Sequence, residues 1–409
     1  MKKLLYYPFL ILFGLGIFSA CDNLDDVEPE INNLFLDNSE LVTTYTSSYI
    51  NKFINMAMFE YPELAALKNK MNLDVEVYKI TYNTKFNNKN VKASGIVCLP
   101  KQEGEYPILN YNNGTNTLHS NAPSENPSDN LFQLLEMTSS NGFIVAIPDY
   151  IGFGSSEDMF HPYLHKESTI KSITDMFYAI KEFVRDNDNV SFNDEIYISG
   201  YSQGGWTAIQ MQKAIENDDK LEFKIKASAC GAGPYNLTTV TDHIVNQEEY
   251  SQPYFLGYLL NSFTNLGMTT NITDILQEPY ASRLASLYNG SNSGGEINEQ
   301  LTTNTTQLFT PEFISSWKTD DKYASFREML AANSVTAYNT SIPTKLMHGT
   351  EDTYVPQQVT NEIYNTFMEL GVSSTLVKNV ELTDHNHKTG IIPSGLTSVL
   401  WFIEMKDSD

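Results

Sequence analysis

The chain has 409 residues, 41% of them hydrophobic and 12% aromatic, so it is long enough for one large α/β domain with an insertion or for two domains. Its formal net charge is −24, or −26 once Lys2 and Lys3 leave with a signal peptide, which disfavours nucleic acid and anionic lipid as partners. Beyond Cys21 it has two cysteines, Cys98 and Cys230, too few for a metal site or a disulfide framework. We expect buried free thiols, with one bridge as the alternative in an oxidising compartment.

The N-terminus has the layout of an export signal. Residues 1–20 combine a basic start, an apolar segment over 4–18 that is too short for a confident membrane span, and small residues that end at Cys21. A cysteine there resembles the lipobox of bacterial lipoproteins, although Phe18 stands where leucine is commoner; an ordinary signal peptide is the alternative. We predict a signal peptide over 1–20, lipidation of Cys21 and an acidic tether over 21–37. The protein would then be membrane-anchored outside the cytoplasm, on the periplasmic face of the outer membrane or at the cell surface.

Periodicity predicts the elements that follow in chain order. Apolar residues at i, i+3, i+4 spacing predict a helical extension over 38–72. Two alternating segments joined by a turn at 87–90 predict an antiparallel hairpin at a sheet edge. The predicted strands are 73–80, 91–99, 106–111, 142–149, 196–199, 223–230, 342–347 and 375–380. The predicted helices of the core are 130–137, 166–185, the segment after residue 204, 357–370 and 391–405.

Strands that alternate with helices predict a mostly parallel sheet covered on both faces. The alternation stops between residues 235 and 340, where helix-like segments and no clear strands occur. We interpret 235–340 as a helical cap inserted into an α/β core that comprises 73–234 and 341–409. A separate second domain is the alternative, which the later return of the sheet pattern disfavours.

The segment G-Y-S-Q-G at 200–204 carries the clearest chemistry. It follows a short apolar strand and precedes a helix, which is the setting of a nucleophile elbow that exposes the side chain of Ser202. Gly200 and Gly204 leave room for the sharp turn because they have no Cβ. A plain glycine–serine turn is the alternative, but the flanking strand and helix favour the nucleophile.

A serine hydroxyl is a weak nucleophile at neutral pH, so it needs a base and an acid that orients the base. In this arrangement the acid and then the histidine follow the serine along the chain. Asp352 and the neighbouring Glu351 both lie in the loop after the strand at 342–347. We predict Asp352 as the acid, with Glu351 as the alternative, because H-G-x-x-D-x-x-V-P from 348 resembles a recurrent loop of α/β-hydrolases. We predict His387 as the base because it is nearer to the last helix, and His385 is the alternative.

The string D-H-N-H at 384–387 could also bind zinc, but the order of Ser202, Asp352 and His387 disfavours a metal site. His348 is interpreted as a structural residue at a strand end. The remaining histidines are expected at the surface or lining a pocket, and they are His119, His161, His165 and His243.

An ester or amide carbonyl under attack develops an oxyanion that backbone N–H groups must stabilise. We predict one donor at Gln203, directly after the serine, and the other at Thr115 in the N-N-G-T segment 112–115. Gly114 would allow the backbone to approach closely, although Asn-Asn-Gly also forms ordinary turns.

Four motifs together resemble the α/β-hydrolase superfamily and, within it, the secretory lipase-like branch. They are P-D-Y-I-G-F-G-S-S-E from 148, G-Y-S-Q-G-G from 200, H-G-T-E-D-T-Y-V-P from 348 and D-H-N-H from 384. The resemblance covers roughly residues 73–405. It implies an eight-stranded mostly parallel sheet, a variable cap, and ester hydrolysis without a cofactor. The N-N-G-T segment stands where many members carry a His-Gly pair, which puts only the oxyanion geometry in doubt.

We therefore expect a serine hydrolase that cleaves carboxylic esters through an acyl-enzyme, on a small-molecule substrate with an apolar acyl or aryl part. A peptidase of the prolyl oligopeptidase kind is one alternative, which the lack of a propeller-like repeat before residue 73 disfavours. A non-catalytic binding lipoprotein on the same fold is the other, and the intact order of serine, aspartate and histidine disfavours it.

Overall fold

The structure is a computed structural model and describes residues 33–68, 70–187 and 189–408. The predicted signal peptide, Cys21 and the tether up to residue 32 lie outside the described residues. The strands are β1 (Leu36–Tyr45), β2 (Val75–Phe86), β3 (Lys89–Pro100), β4 (Gly104–Asn112), β5 (Ile144–Pro148), β6 (Val190–Tyr201), β7 (Lys224–Gly231), β8 (Thr344–Gly349) and β9 (Val377–Leu382).

These strands form one nine-stranded sheet in the order β1-β2-β3-β5-β4-β6-β7-β8-β9 within the described chain. β1, β2, β3 and β5 are paired antiparallel, and every pair from β5–β4 to β8–β9 is parallel. The predicted mostly parallel sheet is confirmed, with nine strands where eight were expected. Because parallel strands end at the same edge, the loops after β4, β6, β8 and β9 meet there.

Helices cover both faces of the sheet. They are α1 (Ser47–Ala57), α2 (Asn130–Glu136), α3 (Lys166–Arg185), α4 (Gln203–Glu216), α5 (Leu237–Val245), α6 (Pro253–Asn265), α7 (Ile272–Ile275), α8 (Tyr280–Leu287), α9 (Gly294–Gln300), α10 (Thr305–Leu308), α11 (Pro311–Ser316), α12 (Ala324–Asn333), α13 (Gln358–Glu369) and α14 (Ile391–Lys406). Short 3-10 turns occur at Pro62–Leu67, His119–Asn121, Met137–Asn141, Gly154–Ser156 and Asp321–Tyr323.

Side chains that alternate along the strands divide the core into two clusters. In β3, Val97 belongs to the cluster beneath α3, α4 and α13, whereas Ile96 belongs to the cluster beneath α1 and α14. Phe177 of α3 and Phe402 of α14 are fully buried, one in each cluster. Burying a side chain of this size contributes about 2 to 3 kcal/mol, so both helix layers are needed to stabilise the sheet.

The N-terminal extension differs from the prediction. Residues 36–45 form the edge strand β1 antiparallel to β2, and the helix spans only Ser47–Ala57 within the predicted 38–72. The apolar residues at helical spacing lie in or directly after α1, and this spacing does not extend upstream of the N-cap Thr46. The predicted tether also ends early, because the backbone N–H groups of Leu34, Phe35 and Leu36 donate to Glu182 of α3 at 2.7 to 2.9 Å.

The predicted hairpin of β2 and β3 forms, but β1 covers it, so it is not at the sheet edge. Its turn is tighter than the predicted 87–90: Asn87 and Asn88 both adopt positive φ, as a two-residue hairpin turn requires.

Between β7 and β8 the chain leaves the sheet for residues 232–343, here called the helical insertion. It contains α5 to α12 and contributes no strand to the sheet in the described chain. Side chains of α5 and α6 line the cavities next to Ser202, so the insertion lies over the carboxyl edge of the sheet. Cys98 of β3 and Cys230 of β7 are buried free thiols, as the sequence led us to expect.

Candidate active site

The chain makes a sharp turn between β6 and α4, and Ser202 lies at its apex. Its φ of +58° is unusual for a residue with a side chain, which is the strain of a nucleophile elbow. A Cβ on Gly204 would collide with the backbone oxygen of Asn112, and one on Gly200 with that of Gly204. Strand, turn and helix can approach this closely only because both positions are glycine.

Ser202, His387 and Asp352 are brought together although 185 residues separate the serine from the histidine. Nε2 of His387 lies 2.9 Å from Oγ of Ser202, and Nδ1 lies 2.6 Å from Oδ2 of Asp352. A carboxylate can only accept, so the ring hydrogen is on Nδ1 and Nε2 is left to accept from the serine hydroxyl. This is the hydrogen-bond order that general-base activation of a serine requires.

The carboxylate of Asp352 is fully enclosed. Its Oδ1 accepts the backbone N–H groups of Tyr354 and Val355 at 2.9 and 3.0 Å. Burial alone would raise the pKa of Asp352, but hydrogen bonds from His348 and His387 hold it well below its usual range. The group is therefore anionic at neutral pH, as a partner for an imidazolium must be.

His348, near the end of β8, also contacts the carboxylate of Asp352. Its Nε2 lies 2.9 Å from the backbone oxygen of Val355 and 3.2 Å from Oδ2 of Asp352, and its Nδ1 lies 2.6 Å from the hydroxyl of Thr360. Since both neighbours of Nε2 can only accept, that nitrogen carries the hydrogen and divides it between them. The sequence identified His348 as structural but did not indicate its contact with Asp352.

The imidazole of His387 packs between two aromatic rings. The centroids of Tyr201 and Tyr354 each lie 5.3 Å from its own. The two alternatives take no part in these contacts: Glu351 is exposed, and the buried Nδ1 of His385 has no hydrogen-bond partner in the described chain.

Both predicted oxyanion donors lie beside Ser202. The N–H of Gln203 is at the start of α4, where helix amides have no partner within the helix and the helix dipole is positive. A Cβ built on Gly114 would be 3.8 Å from Cβ of Ser202, so the backbone that leads to Thr115 is adjacent to Ser202. A further hydrogen bond holds the loop that contains Gly114 and Thr115, because the hydroxyl of Tyr150 donates to the backbone oxygen of Asn113 at 3.1 Å.

Gln203 and Thr115, the two predicted donor residues, each have a side chain that is hydrogen-bonded to a residue of the loop after β5. Nε2 of His161 is 3.0 Å from Nε2 of Gln203, and the hydroxyl of Tyr163 is 2.8 Å from Oγ1 of Thr115. The sequence placed His161 at the surface or in a pocket wall and did not single out Tyr163. His161 and Gln203 are 42 residues apart in the sequence, and nothing in the spacing of the H-P-Y segment predicts that they are in contact.

A cleft of about 350 Å³ opens on one side of Ser202, here called the outer cleft. It is rich in polar groups besides Ser202, His387 and Thr115: Asn113, Asn116, Asn121, Asn126, Asp129 and Lys388. Its aromatic wall is made by Tyr254 and Phe255 of α6 with Phe132 of α2.

A narrower cavity of about 40 Å³ lies on the other side of Ser202, here called the inner cavity. Its lining is mostly aliphatic and comes largely from the helical insertion: Leu237, Val240, Ile244, Leu256 and Leu259. Ser202, Phe255 and Tyr354 line both spaces, so the serine lies where a cleft of mixed polar and aromatic lining meets a mostly aliphatic cavity.

No group of three His, Cys, Asp or Glu side chains is arranged to hold a metal ion in the part of the chain that the structure describes. In the same residues no helix is both long and apolar enough to cross a bilayer.

The mostly parallel sheet, the elbow at its carboxyl edge and the Ser-His-Asp arrangement define an α/β-hydrolase. Residues 130–404, more than half of the chain, match the family model of secretory lipases. The chain therefore belongs to the secretory lipase family, and it is a hydrolase of ester bonds.

Solved structures show that the fold is shared with other hydrolases. The rice cell wall degrading esterase LipA of Xanthomonas oryzae matches with a TM-score of 0.76 and 25% identity over 92% of this chain and 98% of its own. A candidate hydrolase from Legionella pneumophila has a TM-score of 0.80 and 24% identity over 91% and 98%. Lipase A of Candida antarctica has a TM-score of 0.61 and 17% identity over 91% and 81%. A comparison with curated proteins finds no sequence match.

Proposed function

We propose that the protein is a serine esterase in which Ser202 is the nucleophile, His387 the general base and Asp352 the group that orients it. Oγ of Ser202 attacks the ester carbonyl while Nε2 of His387 takes the hydroxyl proton. The N–H groups of Gln203 and Thr115 stabilise the oxyanion. His387 then gives its proton to the departing alcohol, and water hydrolyses the acyl-enzyme by the same steps in reverse.

The observation that carries this proposal is the unbroken hydrogen-bond chain from Ser202 through His387 to Asp352, at 2.9 and 2.6 Å. Ser202 and His387 are 9% and 6% exposed, so the chain of bonds is largely shielded from water yet open to the outer cleft. In such surroundings oriented donors and acceptors are worth more than in water.

The two compartments suggest how the ester is oriented. The inner cavity would take the acyl group, since its walls are mostly aliphatic and burying a polar group there would be costly. The outer cleft would take the alcohol, and its amide side chains favour an alcohol that carries further hydroxyl groups. The proposed substrate class is an ester of a short apolar acid with a bulky polar alcohol.

A fluorophosphonate probe tests the assignment of the nucleophile. The wild type should be labelled once, whereas Ser202→Ala should not be labelled and Ser155→Ala, a matched serine outside the site, should be labelled like the wild type. Equal labelling of Ser202→Ala would refute the proposal. A parallel set of nitrophenyl esters and nitroanilides should show turnover of the esters, and turnover of the anilides alone would instead indicate a peptidase.

We also propose that the protein is exported and anchored through lipid on Cys21. The support is the sequence pattern at residues 1–21 and membership of a family of secretory lipases. Labelled palmitate should be incorporated into the wild type and not into Cys21→Ser, and the variant should move from the membrane to the soluble fraction. A wild type that is soluble and unlabelled would refute the anchor.

A further inference from the structure

We propose that His161 and Tyr163 are positioning residues that hold the two oxyanion donors in place and connect them to the helical insertion. The inference rests on the proposed function, because it assigns His161 and Tyr163 the task of holding the two donors; Tyr163 also lines the inner cavity. It goes beyond that function by making the geometry of the oxyanion hole depend on a segment outside the loops that form it.

His161 is oriented so that it can hold Gln203. Its Nδ1 lies 2.7 Å from the backbone oxygen of Ile151, which can only accept, so the ring hydrogen is on Nδ1 and Nε2 accepts from the amide of Gln203. Burial lowers the pKa of His161 to about 4, although the bond to Ile151 opposes this, so the ring stays neutral at working pH. Oε1 of Gln203 has no partner in the described chain, so the bond to His161 is what fixes this amide.

Tyr163 holds the other donor. Its hydroxyl is 2.8 Å from Oγ1 of Thr115, and its ring is buried. The side chains of both donor residues are therefore bonded to residues two positions apart. A shift of His161–Tyr163 as a unit would move the N–H groups of Gln203 and Thr115 together.

The same segment is bound to α6 of the insertion. The ring of Tyr163 stacks on that of Tyr258 with centroids 4.7 Å apart and planes 9° apart. The hydroxyl of Ser262 donates to the backbone oxygen of Tyr163 at 3.1 Å. Because α6 also provides Phe255, which lines both compartments, the helix that contacts the substrate space is also the one that braces the donors.

A chain of packed rings allows little independent motion. Tyr258 stacks in turn on Tyr288, with centroids 4.8 Å apart, and the ring of His161 is tilted against Tyr258 with centroids 5.5 Å apart. A Cβ on Gly152 would be 2.5 Å from Cα of His161, so the loop behind the histidine is packed as closely as its backbone permits. The bracing is therefore tight on both sides of His161.

Tyr163→Phe removes the bond to Thr115 and keeps the ring stack. Its kcat should fall about 10-fold with KM unchanged, because the oxyanion exists only in the transition state and losing a whole donor costs about 10² to 10³. His161→Gln, whose amide oxygen can still accept from Gln203, should retain more activity than His161→Leu. Tyr323→Phe is the matched control: its buried hydroxyl bonds to the backbone oxygen of Asp274 and to neither donor, so kcat should stay near the wild-type value.

A trifluoromethyl ketone distinguishes positioning from mere stability, because Oγ of Ser202 adds to its carbonyl and leaves an oxyanion in the hole. The inhibition constant for Tyr163→Phe should rise by the same factor as kcat falls. An unchanged kcat, a change in KM alone, or a lower kcat with unaltered inhibitor affinity would each overturn the inference. Failure of the wild type to react with a fluorophosphonate would instead overturn the proposed function.

Discussion

Glu136, at the end of α2, is a fully buried carboxyl group with little compensation. The hydroxyl of Tyr45 donates to its Oε2 at 3.0 Å, and Oε1 has no hydrogen-bond partner in the described chain. Burial raises the pKa of Glu136 to about 7 from its ordinary 4.5, and the bond from Tyr45 only partly offsets this. The folded protein therefore binds this proton more tightly than the unfolded chain does.

The consequence for stability has a definite sign. Below about pH 4.5 both states are protonated and burial has no ionic cost. Between about pH 4.5 and 7 the unfolded chain ionises first, so the free energy of unfolding falls as the pH rises, and above 7 the loss is complete. The difference between about 7 and 4.5 corresponds to about 3.5 kcal/mol at roughly 1.4 kcal/mol per pH unit.

Glu136→Gln removes the titration and keeps an acceptor for Tyr45. Urea unfolding at pH 5 and at pH 8 gives the free energy of unfolding of both proteins. The free energy of the variant minus that of the wild type should be about 2 to 3 kcal/mol larger at pH 8 than at pH 5, because any effect of the amide itself is the same at both pH values. Glu103→Gln, an exposed loop residue, is the control and should show no such gain. If wild type and Glu136→Gln lose stability in parallel between pH 5 and 8, the reasoning is refuted.

Three further changes test the site and the core. Asp352→Asn should lower kcat about 10⁴-fold, since the amide misorients the imidazole; a loss under tenfold in nitrophenyl ester assays would contradict the role given to Asp352. Leu256→Trp should fill the inner cavity and reduce kcat/KM for hexanoate esters at least tenfold more than for acetate esters, and an equal effect on both would place the acyl group elsewhere. In a Cys21→Ser background, the buried Cys98 and Cys230, whose thiol pKa values burial raises, should resist a thiol reagent in the native state and react as two thiols in urea.

Local patterns were enough to predict most of the fold. The helix over 166–185 matches α3 residue for residue, because its apolar face repeats without interruption. β1 was missed because residues 36–45 are mostly exposed and gain their strand conformation from pairing with β2, a contact that no local periodicity records.

The site also contains some residues that the sequence could predict and others that it could not. Ser202 could be predicted because the elbow is a contiguous motif, and Asp352 and His387 because their order along the chain is fixed once the elbow is known. His161 and Tyr163 could not, since their contacts with Gln203 and Thr115 depend on the path of a long loop. The division between a cleft of mixed polar and aromatic lining and a mostly aliphatic cavity depends equally on where the helical insertion packs.

Pre-steady-state hydrolysis of a nitrophenyl ester, followed by peptide mapping of quenched enzyme, tests the central claim most directly. When deacylation is the slower step, we expect a burst of nitrophenol that approaches one equivalent per chain. The acyl group should be found on Ser202, and Ser202→Ala should show no burst. An acyl group trapped on another residue, or undiminished turnover in Ser202→Ala, would contradict the central claim.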